Sequence, residues 1–597
     1  MKAAAERLVD AIDRLLAGLL AIILAALLGL VFSATLLRYV FSTGFVATED
    51  LGIFLHTALV FLGLPLCATG PLAMRIDVAT RHLGPRARAV ADTASDAVTL
   101  AAALVLMLGA GKVAALIGGT SPTLGIPESW RFWPVATGGA LAAVQLILMS
   151  VARRSWPTTL AIFAGGAALA GLPHLPVLLP VELPSLVACA VTCLALASGA
   201  PFVHSLIVGL AAAVPFGARL PEAAIVQQTV SGTGKFLLLA IPFFLLAGML
   251  MNVGGLAHRL VRLASALVGH RRGGMAQATL VTNLMFSGVS GSSIADAAFG
   301  AKVLAPALVA DGIKPEKAAA IVAATAVLPN IIPPSIAFLL LASATGLSVS
   351  ALFEGGLIAG LILAAAMAAM LHWSADTPAR PATDRRARLA ALGAATPVFG
   401  LALVVFFGIR LGVATPTEAA AVASVYALVA VLGARGGRNA ALAAFFQAGR
   451  ETAAIGLLVA SSAPLVFLLA VDGLPQALAG WVTALGGNPL AVMLVANLIL
   501  LAVGGPLDVG PGILLFAPLL MPSIIAAGID PVAFGVILTV NLMIGGLTPP
   551  VGVLVFVAAG ISGLSTSAVF RAVLPLTLAL IAATALMALA AALWALL

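Results

Sequence analysis

Apolar stretches of about 18 to 25 residues recur from one end of the chain to the other, separated by short polar segments. A helix rises about 1.5 Å per residue, so each stretch is long enough to cross a hydrocarbon layer of about 30 Å. The strands of a membrane barrel are shorter, about ten residues, and alternate in polarity. The pattern therefore predicts an all-α polytopic membrane protein.

The composition agrees with this pattern. Of 597 residues, 62% are hydrophobic and only 9% are charged, whereas a soluble domain is about one quarter charged. The three cysteines lie inside apolar runs and suggest neither a disulfide framework nor a zinc site. No phosphate loop or nucleophile motif is recognisable. We therefore expect a non-enzymatic protein without a cofactor.

The net charge of +8 comes from basic residues that cluster in short loops between the apolar stretches. In a membrane protein such loops are expected on the cytoplasmic side, so the charge indicates orientation and gives no reason to expect a nucleic acid partner. The alternation predicts a unit of four helices over 1–155 with both ends inside, a linker helix and loop over 156–184, and a larger unit over 185–597.

The larger unit contains an internal repeat. At an offset of 216 residues, DGIKP at 311–315 aligns with AGIDP at 527–531, and IIPPS at 331–335 aligns with LTPPV at 547–551. Paired prolines in register are not a product of biased composition. The alignment predicts two homologous halves, over about 202–373 and about 391–597.

The charge pattern predicts that the two halves are inverted in the membrane. In the first half a basic loop, 259–272, precedes the polar element 283–300. In the second half the corresponding element, 503–512, follows a loop without basic residues, 473–486. Inverted repeats with interrupted apolar segments are typical of secondary transporters, which bind substrate near the membrane midplane between the repeats.

Each half has two elements that interrupt the hydrophobic pattern. The first is the polar element, which we interpret as the turn of a re-entrant hairpin at membrane depth. The second is a pair of prolines, Pro333–Pro334 or Pro549–Pro550, inside an apolar run of about 28 residues. Two prolines unwind a helix, which leaves free carbonyl groups for a cation and free N–H groups for a carboxylate.

Neutral oxygens surround these interruptions and predict two pseudo-symmetric cation sites. In the first half they are the side chains of Ser290, Ser292, Ser293 and Asn330, and in the second half the side chain of Thr548 and the carbonyls of Gly505 and Gly546. Two alternatives remain open: the serine-rich turn could serve close helix packing, and the prolines could form passive kinks.

Four charged positions inside the apolar pattern have more than one interpretation. Asp508 is a ligand candidate or a helix cap, and Glu418 completes a capping box with Thr415. Asp296 pairs with nearby Lys302 or faces a ligand. The fourth, Lys112, extends to the membrane surface or meets an acidic partner across a subunit contact.

Several segments resemble the large membrane subunit of TRAP transporters, the tripartite ATP-independent periplasmic transporters. They are LLLAIPFFLLAGMLMNVGGLAHRL (237–260), GHRRGGMAQATLVTNLMFSGVSGSSIADAA (269–298), NIIPPS (330–335), TPTEAAAVA (415–423), AGIDPVAFG (527–535) and GGLTPPVGV (545–553). Towards the N-terminus, RYVF at 38–41, Glu49 and RIDV at 75–78 resemble the small four-helix subunit. The chain thus resembles a fusion of the two subunits.

This resemblance implies a sodium-driven elevator carrier in which a mobile domain of two hairpins and two broken helices moves against a scaffold. It implies a periplasmic substrate-binding protein as partner and an organic acid as substrate. Carried over by position, one sodium site falls on Ser290, Ser292, Asn330 and Pro333, and the other on Gly505, Thr548 and Pro549, with substrate at Ser293 and Ser335.

We therefore expect sodium-coupled import of a carboxylate in the bacterial inner membrane, with the N-terminus cytoplasmic and the C-terminus periplasmic. Sodium is the only ion expected to take part. One alternative is a proton-coupled or antiport relative in which Asp296 and Asp508 titrate. Another is a membrane scaffold or channel without coupled transport.

Overall fold

A computed structural model describes residues 2–69, 72–75, 80, 83–177, 179–253, 256–287, 293–375, 377–379, 381, 384–433, 436–484, 486–549 and 551–596. Within these ranges the regular structure is helical, and one isolated antiparallel bridge joins Thr120 to Pro127. The all-α fold predicted from the apolar pattern is confirmed.

The helices follow in this order: α1 (Lys2–Val40), α2 (Thr48–Leu62), α3 (Leu64–Thr69), α4 (Pro85–Leu116), α5 (Trp133–Arg153), α6 (Trp156–Gly171), α7 (Pro184–Ala197), α8 (Phe202–Ala213), α9 (Glu222–Thr233), α10 (Ala240–Val253), α11 (Leu256–Val268), α12 (Gly274–Phe286), α13 (Ser293–Ala310), α14 (Pro315–Thr325), α15 (Ile336–Thr345), α16 (Val349–Trp373), α17 (Arg385–Arg410), α18 (Pro416–Leu432), α19 (Gly437–Val471), α20 (Leu474–Ala484), α21 (Pro489–Gly504), α22 (Val509–Ala526), α23 (Pro531–Gly545), α24 (Val553–Ser562) and α25 (Thr566–Trp594). Short 3₁₀ turns, including Leu328–Asn330, connect some of them.

Among the described residues, nine helical segments are long and apolar enough to cross a membrane. The longest, within α1, has a mean hydropathy of 2.9 over its most apolar window. Several shorter apolar helices, such as α15 and α24, are arms of interrupted segments. The protein is therefore a multi-pass membrane protein.

The apolar stretch over 51–72, which the hydrophobic pattern predicts as the second membrane span, is not one continuous helix in its described part, 51–69. It is divided at Gly63 into α2 and α3. Pro65, the second residue of α3, has no N–H group and its ring disfavours a continuous helix in the preceding turn. A Cβ atom on Gly63 would lie 2.2 Å from the Cβ of Ala453, so only glycine permits this approach of α19.

The chain forms two compact units. Unit 1 comprises Met1–Pro242 and Phe445–Leu474, and unit 2 comprises Phe243–Ala444 and Pro475–Leu597. In unit 1, α4 packs against α5, α6, α8 and α9, and α1 packs against α2 and α5. The domain boundaries expected from the sequence stay predictions.

Unit 2 contains five consecutive helices from each predicted half. The helices α12 to α16 have counterparts in α21 to α25 that begin 215 to 217 residues later. The offset observed in the sequence motifs is therefore also the offset of the helices. Both paired-proline segments interrupt the helices as expected.

Packing in unit 2 follows the same pairing. The helix α13 packs against α24, and its counterpart α22 packs against α15, the counterpart of α24. Likewise α14 packs against α25, and α23 against α16. Exchanging each helix for its counterpart leaves these contacts unchanged, so these eight helices have a pseudo-two-fold arrangement.

Candidate functional site

The first proline pair separates α14 from α15. The helix α14 ends at Thr325, a 3₁₀ turn covers Leu328–Asn330, and α15 begins at Ile336. Ser335 precedes α15 as its N-cap, and its Oγ accepts a hydrogen bond from the Phe338 N–H at 3.3 Å. The same hydroxyl donates to the Asn330 carbonyl at 2.5 Å, which closes the interruption.

The second proline pair separates α23 from α24. The helix α23 ends at Gly545, and α24 begins at Val553 after Gly552, whose φ is +37°. Thr548 donates its hydroxyl proton to the Gly545 carbonyl at 2.8 Å. The carbonyl of Gly546 accepts the N–H of Leu554 at 3.1 Å, so the arms of the interrupted helix are joined by backbone and side-chain bonds.

The structure describes the second predicted hairpin turn but only the last residue of the first. In the first half, Ser290 and Ser292 lie outside the described residues, and Ser293 is the first residue of α13. In the second half, Asp508 is the N-cap of α22, and its Oδ1 accepts the Val509 N–H at 2.9 Å. Asp508 therefore caps α22, which is one of the two roles predicted for it.

The second hairpin approaches the second interruption without intervening side chains. A Cβ atom on Gly545 would lie 2.3 Å from the backbone carbon of Gly504. A Cβ atom on Gly505 would lie 3.6 Å from Thr548 Oγ1. The structure thus brings together Gly505, Gly546 and Thr548, three of the predicted second-half residues.

Two neutral oxygens at the first interruption are buried and make no hydrogen bond within the described part of the chain. They are Oγ of Ser293 and Oδ1 of Asn330, whose residues are 4% and 5% exposed. The amide of Asn330 instead contacts the sulfur of Met543 at 3.6 Å, which links the two halves. Neutral oxygens without a donor are suitable ligands for a hard cation.

The two interruptions differ in exposure. Asn330, Pro333 and Ser335 are buried, whereas Thr548 is half-buried and Pro549 is exposed. Asp508 is also exposed at the second turn. The pseudo-two-fold arrangement of the helices therefore does not extend to the environment of the predicted ligands.

Two polar pairs that connect helices beside the site were not predicted from the sequence. The Asn283 amide of α12 donates to the Thr325 hydroxyl of α14 at 2.6 Å. In the second half the Asn541 side-chain amide of α23 donates to the side-chain oxygen Oδ1 of Asn497 on α21. Thr325 and Asn541 are 216 residues apart. The repeat offset could have identified them, because a polar residue recurs there inside an apolar helix.

Two of the other charged residues have defined partners. Thr415 and Glu418 form the predicted capping box, with the Thr415 N–H 2.8 Å from Glu418 Oε2. Lys112 of α4 forms an ion pair with Glu222 of α9, and His174 Nε2 lies 3.4 Å from the same carboxylate. The acidic-partner interpretation of Lys112 is confirmed.

A polytopic chain whose helices repeat in two halves, each with an interrupted helix, has the architecture of a secondary transporter. Residues 187–593 match the family model described as "Tripartite ATP-independent periplasmic transporter, DctM component", and residues 27–155 match the model of the DctQ component. The chain belongs to the TRAP transporters and combines both membrane components. It is a transporter and not an enzyme.

Relatives support this assignment. The isethionate TRAP transporter permease protein DctMQ of Oleidesulfovibrio alaskensis is 30% identical over 94% of this chain and 90% of its own length. The C4-dicarboxylate TRAP transporter large permease protein DctM of Pseudomonas aeruginosa is 38% identical over 57% of this chain and 81% of its own. The sialic acid large permease protein SiaM of Vibrio cholerae is 34% identical over 61% and 86%.

Proposed function

We propose that this permease imports a small organic acid, with a carboxylate as the expected class, by coupling its movement to an inward flow of sodium ions. A periplasmic substrate-binding protein delivers the substrate. The names of relatives support the substrate class, since they include transporters of C4-dicarboxylates, 2,3-diketo-L-gulonate and sialic acid.

The observation that carries the sodium part of the proposal is the unsatisfied buried oxygen Oδ1 of Asn330; the Ser293 hydroxyl near it is also unsatisfied and is proposed to bind the substrate. A buried oxygen without a donor is costly unless it gains a partner. A desolvated sodium ion is such a partner, and both residues lie where α13 packs beside the 3₁₀ turn at Leu328–Asn330. Ser290, Ser292 and Pro333 complete the proposed first site.

The proposed second sodium site is formed by Gly505, Gly546, Thr548 and Pro549. Gly505 and Thr548 are adjacent, and the Gly546 carbonyl has a second lone pair beyond its bond to the Leu554 N–H. The proposed substrate ligands are Ser293, Ser335 and Asp508. The N-terminal end of α15, capped by Ser335, has a dipole that favours a carboxylate.

We propose an elevator mechanism. The helices that flank both predicted hairpin turns, and both interrupted helices, belong to unit 2, while the four-helix segment before residue 155 belongs to unit 1. This partition supports the proposal, because an elevator mechanism needs a mobile transport domain and a separate scaffold. The proposed location is the bacterial inner membrane, with the N-terminus cytoplasmic and the C-terminus periplasmic, which reporter fusions to both ends would test.

The experiment is uptake of a radiolabelled organic acid by proteoliposomes that contain the full-length permease and its binding protein. We expect accumulation with an inward sodium gradient and none when sodium is replaced by choline. Accumulation that survives without sodium but requires a pH gradient would support the proton-coupled alternative. Failure to accumulate substrate under any gradient would support a scaffold or channel.

Site variants sharpen the test. We expect Asn330→Ala and Thr548→Ala to raise the sodium concentration for half-maximal uptake by about tenfold or more, because a contact to a charged group contributes about 1.5–3 kcal/mol. Thr539→Val is the matched control, since Thr539 is buried on α23 and donates only to the Gly535 carbonyl of its own helix. An equal shift in the control would contradict the assignment.

A further inference from the structure

A polar cavity of about 320 Å³ lies in unit 1, separate from the proposed transport site in unit 2. It is lined by Arg75, Asp96, Leu146, Met149, Ser150, Arg153 and Arg154. These residues come from the segment after α3, from α4 and from the end of α5. The arginines belong to loops that the charge pattern predicts to be cytoplasmic.

The charges that line this cavity are unbalanced. Arg154 Nη2 binds the Asp96 carboxylate at 3.0 Å, and Arg154 Nη1 lies 3.7 Å from Asp92 Oδ2 outside the lining. The guanidinium of Arg75 donates to the Ala68 carbonyl at 3.2 Å. Among the described residues, three guanidinium groups therefore line the cavity with one carboxylate, which is already bound by Arg154.

Arg153 has only a weak interaction with a carboxylate. Its Nε lies 3.9 Å from Glu6 Oε1, and the side chains are 61% and 54% exposed. Exposed pairs at this separation contribute little to stability. The Arg153 guanidinium is therefore available to an anion in the cavity.

The polarity of the lining changes along α5. Leu146, Met149, Ser150 and Arg153 are spaced so that they share one face of the helix. The apolar Leu146 and Met149 lie one to two turns deeper than the arginines, on the side of the apolar span. A phosphate group attached to acyl chains matches such a gradient, because its charge and its apolar part require different surroundings.

We propose that this cavity binds a phosphate group, carried by an anionic phospholipid of the cytoplasmic leaflet. Arginine guanidinium groups form paired hydrogen bonds with phosphate oxygens, and basic pockets between membrane helices bind lipid headgroups. Arg75 and Arg153 bind the phosphate. Arg154 holds the cavity wall in place through its bond to Asp96. The site binds a lipid to the four-helix segment of the permease. This proposal does not rest on the proposed sodium-coupled transport.

The test measures binding to the delipidated full-length protein in detergent, with three probes used separately: phosphatidylglycerol, diacylglycerol with the same acyl chains, and inorganic phosphate. Each affinity is obtained from the ligand-dependent rise of the unfolding midpoint. We expect phosphatidylglycerol to bind and diacylglycerol not to bind. Binding of inorganic phosphate with the same arginine dependence would support the phosphate site. It would also show that the free anion, as well as the lipid, is a ligand of the cavity.

The decisive variant combines Arg75→Gln with Arg153→Gln. We expect its affinity for phosphatidylglycerol to fall by about fivefold for each arginine removed. The matched control combines Arg86→Gln with Arg88→Gln, two exposed residues at the start of α4 that do not line the cavity. Equal losses in the two double variants, or equal binding of diacylglycerol, would overturn the proposal.

Arg153→Gln alone provides a second measurement if removal of Arg75 disturbs the fold, since Arg75 also binds the backbone of α3. Its elution volume and its unfolding midpoint without lipid should match those of the wild type, because Arg153 is exposed. We expect about fivefold weaker phosphatidylglycerol binding. An unchanged affinity in this folded variant would refute the assignment.

Discussion

The side-chain amide of Asn283 donates a hydrogen bond to the hydroxyl oxygen of Thr325 across 2.6 Å, and both residues are buried. This bond joins the first helix of one hairpin to the interrupted helix that follows it. Asn541 and Asn497 form the corresponding bond in the second half. Each half therefore has a polar connection beside its proline pair.

Replacing Thr325 with valine should destabilise unit 2. The change keeps the shape of the side chain but leaves the Asn283 amide buried without its acceptor. We expect a loss of about 1 kcal/mol, as for hydrogen bonds between membrane helices. The loss is measured by unfolding in mixed detergent micelles.

Thr282→Val is the control for this prediction, because Thr282 donates to the Ala278 carbonyl of its own helix. A double-mutant cycle with Asn283→Leu then isolates the pair. Additive effects in that cycle would mean that the bond does not contribute to stability.

Gly545→Ala should impair folding and uptake together. Its added Cβ would lie 2.3 Å from the backbone carbon of Gly504, so the second hairpin and the second interrupted helix must separate. Overpacking of this kind costs about 1–3 kcal/mol. Gly560→Ala is the matched control on α24, where nothing lies within 4 Å of the added atom. Wild-type melting and uptake in Gly545→Ala would show that the contact is dispensable.

Thr415→Ala should lower the unfolding midpoint by removing the N-cap of α18. Thr415 Oγ1 accepts the Glu418 N–H at 3.3 Å, and the Glu418 carboxylate accepts the Thr415 N–H in return. Loss of a side-chain cap costs about 1 kcal/mol. Thr396→Ala should have no comparable effect, since exposed Thr396 bonds only to Leu392 of its own helix. Equal midpoints for the two variants would argue against a stabilising cap.

Asp50, at the start of α2 and ahead of the apolar part of that helix, should make stability depend on pH. The Ser121 and Thr123 hydroxyls donate to its carboxylate at 2.5 and 2.6 Å and hold the pKa of Asp50 below its ordinary value of 3.8. A carboxyl whose pKa is lowered by folding stabilises the protein above its unfolded pKa. This stabilisation is lost as the pH falls through the lowered pKa.

The measurement for Asp50 is the unfolding midpoint from near-neutral pH to below 3.8, the ordinary value of this carboxyl. Removing both hydroxyls, with Ser121→Ala and Thr123→Ala, should flatten the acid dependence because the pKa returns toward its ordinary value. Thr137→Ala is the control, since Thr137 bonds to carbonyls of its own helix. An unchanged acid dependence in the double variant would exclude these bonds as its source.

Much of the fold could be predicted because local patterns encode it. The length of the apolar runs required membrane helices, and Pro333–Pro334 required an interruption, since proline removes a donor wherever the chain places it. The capping box of Thr415 and Glu418 could likewise be predicted, because its two residues are three positions apart. By contrast, the close approach of Ala453 to Gly63, where the second span is divided, joins residues far apart in sequence and could not be predicted from a local pattern.

The sequence by itself determined that this protein spans a membrane, that it contains repeated halves, and where the paired prolines interrupt its helices. The reason is that the length of an apolar stretch, its polarity and its prolines act locally. Only the tertiary structure decided which groups meet. It paired Lys112 with Glu222 and Asn283 with Thr325, and it left oxygens of Ser293 and Asn330 buried without a hydrogen bond in the described part of the chain. Such partners are chosen by packing across distant segments, where burial makes each unsatisfied polar group costly.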